Sequence, residues 1–197
     1  MNITVYCGST TSGNAVFENA ARDLGKWIAE QGHALVYGGS SVGLMGIVSR
    51  AVLNAGGAVY GVEPRFFIEA GVAQHDLTEL YVTETMGERK AKMIELGDVF
   101  VAFPGGVGTL EEISEIMSRI RLGMSLAECY FLNLDGYYDA FRAFLERMLA
   151  EGFVSPADMD RFRFACSVDE LAHMIADAQK DPAACFATAA EMAPSSE

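Results

Sequence analysis

The residues best suited to chemistry stand in Pro104-Gly105-Gly106-Val107-Gly108-Thr109-Leu110-Glu111-Glu112. Gly105, Gly106 and Gly108 let backbone N–H groups close on an anion, and a following helix would add its positive N-terminal end. Each exposed dipole contact is worth roughly 0.3–1 kcal/mol, so several must converge to make a site. Thr109 either caps that helix, in a box with Glu112 three residues on, or gives its hydroxyl to a phosphate. Capping accounts for the Thr/Glu spacing but leaves the glycines unexplained. No Gly-Lys-Ser/Thr follows, so the stretch is not a P-loop. A second group is Glu88-Arg89-Lys90 with Lys92, three cations in four positions of a chain whose net charge is −13. The pattern alone describes a solvated helix face. The chemical alternative is that Arg89 and Lys90 supply positive charge to an anion held on the glycine loops.

Such loops need strands to lift them to one edge. Ile3–Tyr6, Ala34–Tyr37, Ala58–Val62, Glu79–Val82, Val99–Phe103, Tyr130–Leu134 and Phe162–Ala165 read as short strands. Glu63-Pro64 ends the third, and Phe66–Leu77 reads as irregular. Helical spacing of apolar residues marks Ala15–Gln31, with Val16, Ala20, Leu24, Trp27 and Ile28, and Leu44–Asn54. Gly87–Leu96 reads as a charged helix. Leu110, Ile113, Ile116, Met117 and Ile120 share one face of the next. Phe141, Phe144, Leu145 and Met148 turn inward from a helix over Tyr138–Leu149, and Val168–Ala178 is the last. This alternation predicts an α/β, Rossmann-like doubly wound fold, with a mainly parallel sheet and helices on both faces. Ligands of such sheets sit at the carboxyl ends of the strands. The glycine-bearing loops at Cys7–Gly13, Gly38–Gly46 and Pro104–Thr109 should therefore open together. The second loop lacks the dinucleotide spacing G-x-G-x-x-G.

A single domain over residues 1–180 is expected, with a loosely held tail over 181–197 that is rich in Ala and Ser. At 197 residues, 51% hydrophobic and 21% charged, the chain can bury a full core. Its acidity disfavours nucleic acid and anionic lipid as partners. The four cysteines and three histidines are scattered without ligand spacing, so no metal is expected. No signal peptide or membrane-length apolar run is apparent, which points to the cytoplasm.

Taken in order, these stretches resemble the Lonely-guy (LOG) family of cytokinin riboside 5′-monophosphate phosphoribohydrolases, long misnamed lysine decarboxylases. Pro104–Glu112 matches the family signature P-G-G-x-G-T-x-x-E, and Arg89-Lys90 matches its second. Cys7-Gly8-Ser9, Tyr37-Gly38-Gly39 with Gly43-Leu44-Met45-Gly46, and Asn133–Tyr138 are similar to further family stretches. The resemblance implies a homodimer with each active site near the interface, and no cofactor. It implies release of the base from an N6-modified AMP, a nucleoside 5′-monophosphate, leaving ribose 5-phosphate. It makes Arg89 and Glu112 the catalytic pair. Substrate contacts fall on Gly8, Ser9, Gly38, Gly39, Met86, Lys90, Gly105, Gly106, Gly108, Thr109 and Glu111. The chain departs from the family at Gly87 (usually His), at Ser40 (often Gly) and over Ser118–Glu128. That last region lies near the base pocket and dimer interface of the family, so a changed base preference or dimer contact is expected. Two other functions fit parts of the sequence. A nucleotide carrier would use the same fold and loops, although an anion binder gains nothing from Glu112. A pyridoxal-phosphate decarboxylase would need a supported Schiff-base lysine, and no such constellation surrounds the few lysines.

Overall fold

The computed structural model of the protein describes residues 1–124 and 128–180. The expected tail over 181–197 lies outside the described residues. The elements run β1 (Asn2–Tyr6), α1 (Ala15–Glu30), β2 (Ala34–Tyr37), α2 (Gly43–Asn54), β3 (Ala58–Pro64), α3 (Arg65–Glu69), β4 (Glu79–Thr83) and α4 (Met86–Leu96). They continue as β5 (Val99–Ala102), α5 (Val107–Arg121), β6 (Cys129–Leu132), α6 (Asp139–Ala150), α7 (Pro156–Met159), β7 (Phe162–Ala165) and α8 (Val168–Lys180).

The seven strands form one sheet, ordered β4-β3-β2-β1-β5-β6-β7, with every pairing parallel. Parallel strands covered on both faces should be apolar throughout, and the central ones are. Val101, Ala102, Phe131 and Leu132 have no exposed surface. Burying Val101, Phe131 or Leu132 contributes about 1.5–3 kcal/mol each through removal from water. Phe17, Leu24 and Ile28 of α1, Leu44, Val48 and Val52 of α2, and Leu171 and Ile175 of α8 cover one face. Met93 of α4, Ile113, Ile116 and Ile120 of α5, and Leu145 of α6 cover the other. The strand order reverses between β1 and β5, which is the crevice where an open α/β sheet takes its ligand.

The expected alternation holds throughout, with local corrections. Residues 66–77 are not wholly irregular, because α3 occupies Arg65–Glu69. Glu63 and Pro64 belong to β3, paired with Val82 and Thr83, rather than ending it. Strand β6 stops at Leu132, and a 3-10 turn over Leu134–Gly136 follows. Phe144 is 56% exposed and Leu110 42% exposed, so neither points inward. On α1, Phe17 rather than Val16 enters the core. No helix among the described residues is long and apolar enough to cross a membrane.

The first two glycine loops interlock at Gly43. Its φ is +62°, and a Cβ there would stand 2.2 Å from the Ser9 carbonyl carbon. Gly43→Ala combines left-handed strain with a backbone clash and should cost about 2 kcal/mol or more. Urea unfolding should show a lower midpoint with an unchanged slope.

Candidate functional site

The three loops are knitted together by their main chains. Gly8 N donates to Pro104 O at 3.1 Å, and Gly8 O accepts from Leu44 N at 3.1 Å. Two consecutive tyrosines hold the third loop from the β6 side. Tyr138 donates its hydroxyl to Phe103 O at 2.8 Å, and Tyr137 donates to Gly105 O. Asn133 orients the pair by accepting from Tyr138 N at 2.6 Å and donating to Asp139 at 2.8 Å. The three carbonyls from Phe103 to Gly105 are thus all engaged. A cleft of about 180 Å³ opens here, lined by Gly8, Thr10, Ser12, Gly105, Gly106 and Tyr137 among others.

Helix α5 begins in this cleft with its amides free. Gly106 is the N-cap and no side chain caps it. The first turn carries no acid, and Val107 is 87% exposed. This removes the capping-box alternative for Thr109 and Glu112, because Thr109 already lies inside the helix. Thr109 is 4% exposed and packs on the loop. A Cβ on Gly105 would stand 2.1 Å from its Oγ1. The capping box of this region belongs to α4. There Glu88 N donates to Thr85 Oγ1 at 3.1 Å, and Thr85 N donates to Glu88 Oε2 at 3.3 Å. That cap starts the helix at Met86, one residue before the expected Gly87, and fixes the phase that sends Arg89 inward.

Arg89 is buried, not part of a solvated face. Its Nη1 lies 3.3 Å from Glu112 Oε1, with both side chains under 10% exposed. Its Nε donates to Val62 O at 3.0 Å and its Nη2 to Gly38 O at 3.2 Å. Met86 Sδ is 4.0 Å from Nη1. Gly38 leaves room for the guanidinium, since a Cβ there would meet Nη2 at 1.9 Å. Burial pushes Glu112 up to about 7, against the opposing pull of Arg89. The nearby Cys7 thiol is also pushed up, by burial and by Glu112. The arrangement offers a carboxylate and a guanidinium at one water-poor point, beside a helix terminus suited to phosphate.

Lys90 takes a different place. Its Nζ is 2.8 Å from Glu111 and 3.2 Å from Glu115, so its charge is spent joining α4 to α5. Gly39 lies against Glu63, a 1% exposed carboxyl also pushed up to about 7 by burial. Ser9 packs its backbone against Gly43, and Gly108 is exposed on the first turn of α5. Ser40 is 4% exposed, pairs with Ala73 in an isolated bridge and donates to Val72 O at 3.4 Å. Gly87 has only Thr85 Oγ1 within reach of an added Cβ, at 3.8 Å. Leu122 and Met124, in the departing stretch, are 69% and 66% exposed, and residues 125–127 lie outside the described ones. Sequence reasoning gave no role to Glu63, Tyr137 or Tyr138. A carboxyl at the end of an apolar strand was the available signal for the first.

A family described as "Possible lysine decarboxylase" matches residues 45–175. The chain is 43% identical over 153 residues to cytokinin riboside 5′-monophosphate phosphoribohydrolase LOG of Oryza sativa subsp. japonica, covering 78% of this chain and 63% of that protein. It is 42% identical over 161 residues to the cytokinin riboside 5′-monophosphate phosphoribohydrolase of Rhodococcoides fascians, covering 81% of each. Among solved structures, the molybdenum cofactor carrier protein of Chlamydomonas reinhardtii has a TM-score of 0.70 at 20% identity, over 91% of this chain and 98% of that one. The molybdenum cofactor binding protein of Rippkaea orientalis has a TM-score of 0.67 at 22% identity, over 89% and 95%. These two share the fold.

Glu63 and Glu112 both hold their protons more tightly folded than unfolded. Between about 4.5 and about 7 the native state therefore binds more protons than the unfolded one. Their contribution to stability is complete below that window and is lost as pH rises through about 7. Glu112→Gln should flatten the fall in melting temperature between pH 5 and pH 8, and an unchanged slope would contradict the assignment.

Proposed function

The chain belongs to the LOG family of cytokinin riboside 5′-monophosphate phosphoribohydrolases, and from that premise we propose that it hydrolyses the N-glycosidic bond of an N6-modified AMP. The observation that carries this reading is the buried Arg89–Glu112 pair beside the uncapped start of α5. The amides of Gly106, Val107 and Gly108 take the 5′-phosphate, with Gly105 and Thr109 shaping the loop. Gly8 and Ser9 border the phosphate, while Gly38, Gly39 and Met86 border the base. Lys90 and Glu111 complete the contact set as a bridged pair.

Breaking the C1′–N bond leaves its electron pair on the base and positive charge on the ribose. Glu112, ionised above about 7, stabilises that charge and takes a proton from the attacking water. Arg89 orients the substrate and offsets charge on the phosphate or the departing base. Water oxygen bonds to C1′, the proton taken up by Glu112 passes to the departing base, and neutral base and ribose 5-phosphate remain with Glu112 ionised again. The wording of the family description finds no support in the lysines. All four are ion-paired: Lys26 with Glu30, Lys90 with Glu111 and Glu115, Lys92 with Glu95, and Lys180 with Asp177.

We further read the protein as a cytoplasmic, nucleotide-binding homodimer. Cys7, Cys129 and Cys166 are free thiols, as a reducing compartment keeps them. Supporting a dimer, a groove of about 340 Å³ runs between α5 and α6, lined by Leu110, Met117, Phe141, Phe144, Met148 and Phe162 among others. It borders the helix that carries Glu112.

Incubation with N6-isopentenyl-AMP should yield free base and ribose 5-phosphate in equal amounts. Glu112→Gln should lower the rate by roughly 10²–10⁴-fold. Tight nucleotide binding without release would make the protein a carrier instead. In a panel of nucleoside monophosphates, the departures at Gly87 and 118–128 should change base preference relative to the rice enzyme. Identical preferences would contradict that expectation. The kcat/KM profile should fall as pH drops below about 7, where Glu112 takes up its proton.

A further inference from the structure

One carboxyl at this edge has no part in the reaction set out above. Glu63 is 1% exposed, and its Oε2 has no hydrogen-bond partner. An apolar side chain would fill the same volume without desolvating a polar group, so packing alone does not call for glutamate. Its surroundings lead to Arg89. Arg89 Nε is held by the carbonyl of Val62, the residue before Glu63, and Nη2 by that of Gly38, the residue before Gly39. Gly39 in turn rests on Glu63. Its φ is +85°, and a Cβ there would stand 2.7 Å from Oε2 and 2.9 Å from Glu63 Cβ. Gly39 O accepts from Gln74 N at 2.8 Å, tying the turn down from its other side. Burial raises both Glu63 and the phenol of Tyr37 on β2, with the Arg89 charge opposing the rise at Glu63 and Glu63 adding a smaller upward push at Tyr37. The guanidinium is thus paired directly with Glu112 from α5, while Glu63 reaches it through the main chain, by way of Val62 and Gly39.

We propose that Glu63 is a positioning residue: packed against Gly39 and following Val62, it fixes the ends of β2 and β3 whose carbonyls hold the Arg89 guanidinium, and so keeps that group aligned with Glu112. This rests on the proposed hydrolysis for its catalytic consequence, but not for its geometry. Buried guanidinium groups keep one orientation only when acceptors surround them. Glu63 packs under the turn that follows one of those carbonyls and adjoins the residue that bears the other.

The test compares Glu63→Leu and Glu63→Gln with the parent. Three readouts are taken: base release from N6-isopentenyl-AMP, melting temperature, and hydrogen exchange of the Arg89 Nε–H by ¹⁵N NMR, assigned by its loss in Arg89→Lys. Glu63→Leu should lower kcat roughly tenfold or more. KM should stay within about threefold of the parent. Its melting temperature should equal or exceed that of the parent, because the orphan oxygen is gone. Its Arg89 Nε–H should exchange faster, and Glu63→Gln should recover most of kcat. Parent kcat together with parent Nε–H exchange in Glu63→Leu would overturn the proposal. So would a joint fall of kcat and melting temperature that Glu63→Gln fails to rescue, the mark of a packing residue. If the parent releases no base while Nε–H exchange responds as stated, the proposed reaction fails and the positioning role stands.

Discussion

The contact on which the site depends is the ion pair between Arg89 of α4 and Glu112 of α5. Taking two charges out of water costs several kcal/mol per ion, and their attraction repays it only with good geometry and further hydrogen bonds. Those bonds come from the ends of two strands, Val62 on β3 and Gly38 after β2. One side chain thereby fixes the relation between two helices and the crest of the sheet. An apolar pair would hold the helices at lower cost, so the charges are better explained by what they do to a ligand.

The rest of the architecture serves that point. Parallel pairing lifts the loops after β1, β2 and β5 to the same edge, and the reversal of strand order opens the cleft between Gly8 and Gly105. Gly38 gives up its side chain to admit the guanidinium, and Gly43 does so to let the second loop lie on the first. Tyr137 and Tyr138 reach back from beyond β6 to hold the third loop by its carbonyls. Asn14 caps α1 and Thr85 caps α4, whereas the start of α5, like those of α2 and α6, has no side-chain cap. Its free amides and Glu112, later on the same helix, form a graded environment, favourable to phosphate at one end and to developing positive charge at the other.

Much of this was legible in the sequence because it follows from periodicity and punctuation. Apolar runs such as Val99–Phe103, ending in Pro and Gly, read as buried parallel strands, and glycines after such strands mark the ligand edge. What stayed hidden needs three-dimensional contact. The Thr109/Glu112 spacing fits a capping box equally well until the helix is seen to begin at Val107. Arg89 and Lys90 are adjacent in a charged stretch, yet helical phase buries the first and leaves the second on the α4–α5 seam. Phe144 has the spacing of a core residue but falls on the outer side of α6. Glu63 reads as a strand terminator in sequence, since nothing local reveals that Gly39 closes over it.

The central claim is that Arg89 and Glu112 act as one unit, and a double-mutant cycle on kcat/KM for N6-isopentenyl-AMP measures it most directly. Arg89→Met, Glu112→Gln and the double variant are compared with the parent, each checked for an intact fold. Groups that act together lose nearly everything with the first removal. The account predicts that each single variant is almost as slow as the double. Losses that simply add would mean that the two residues work independently, and would contradict it.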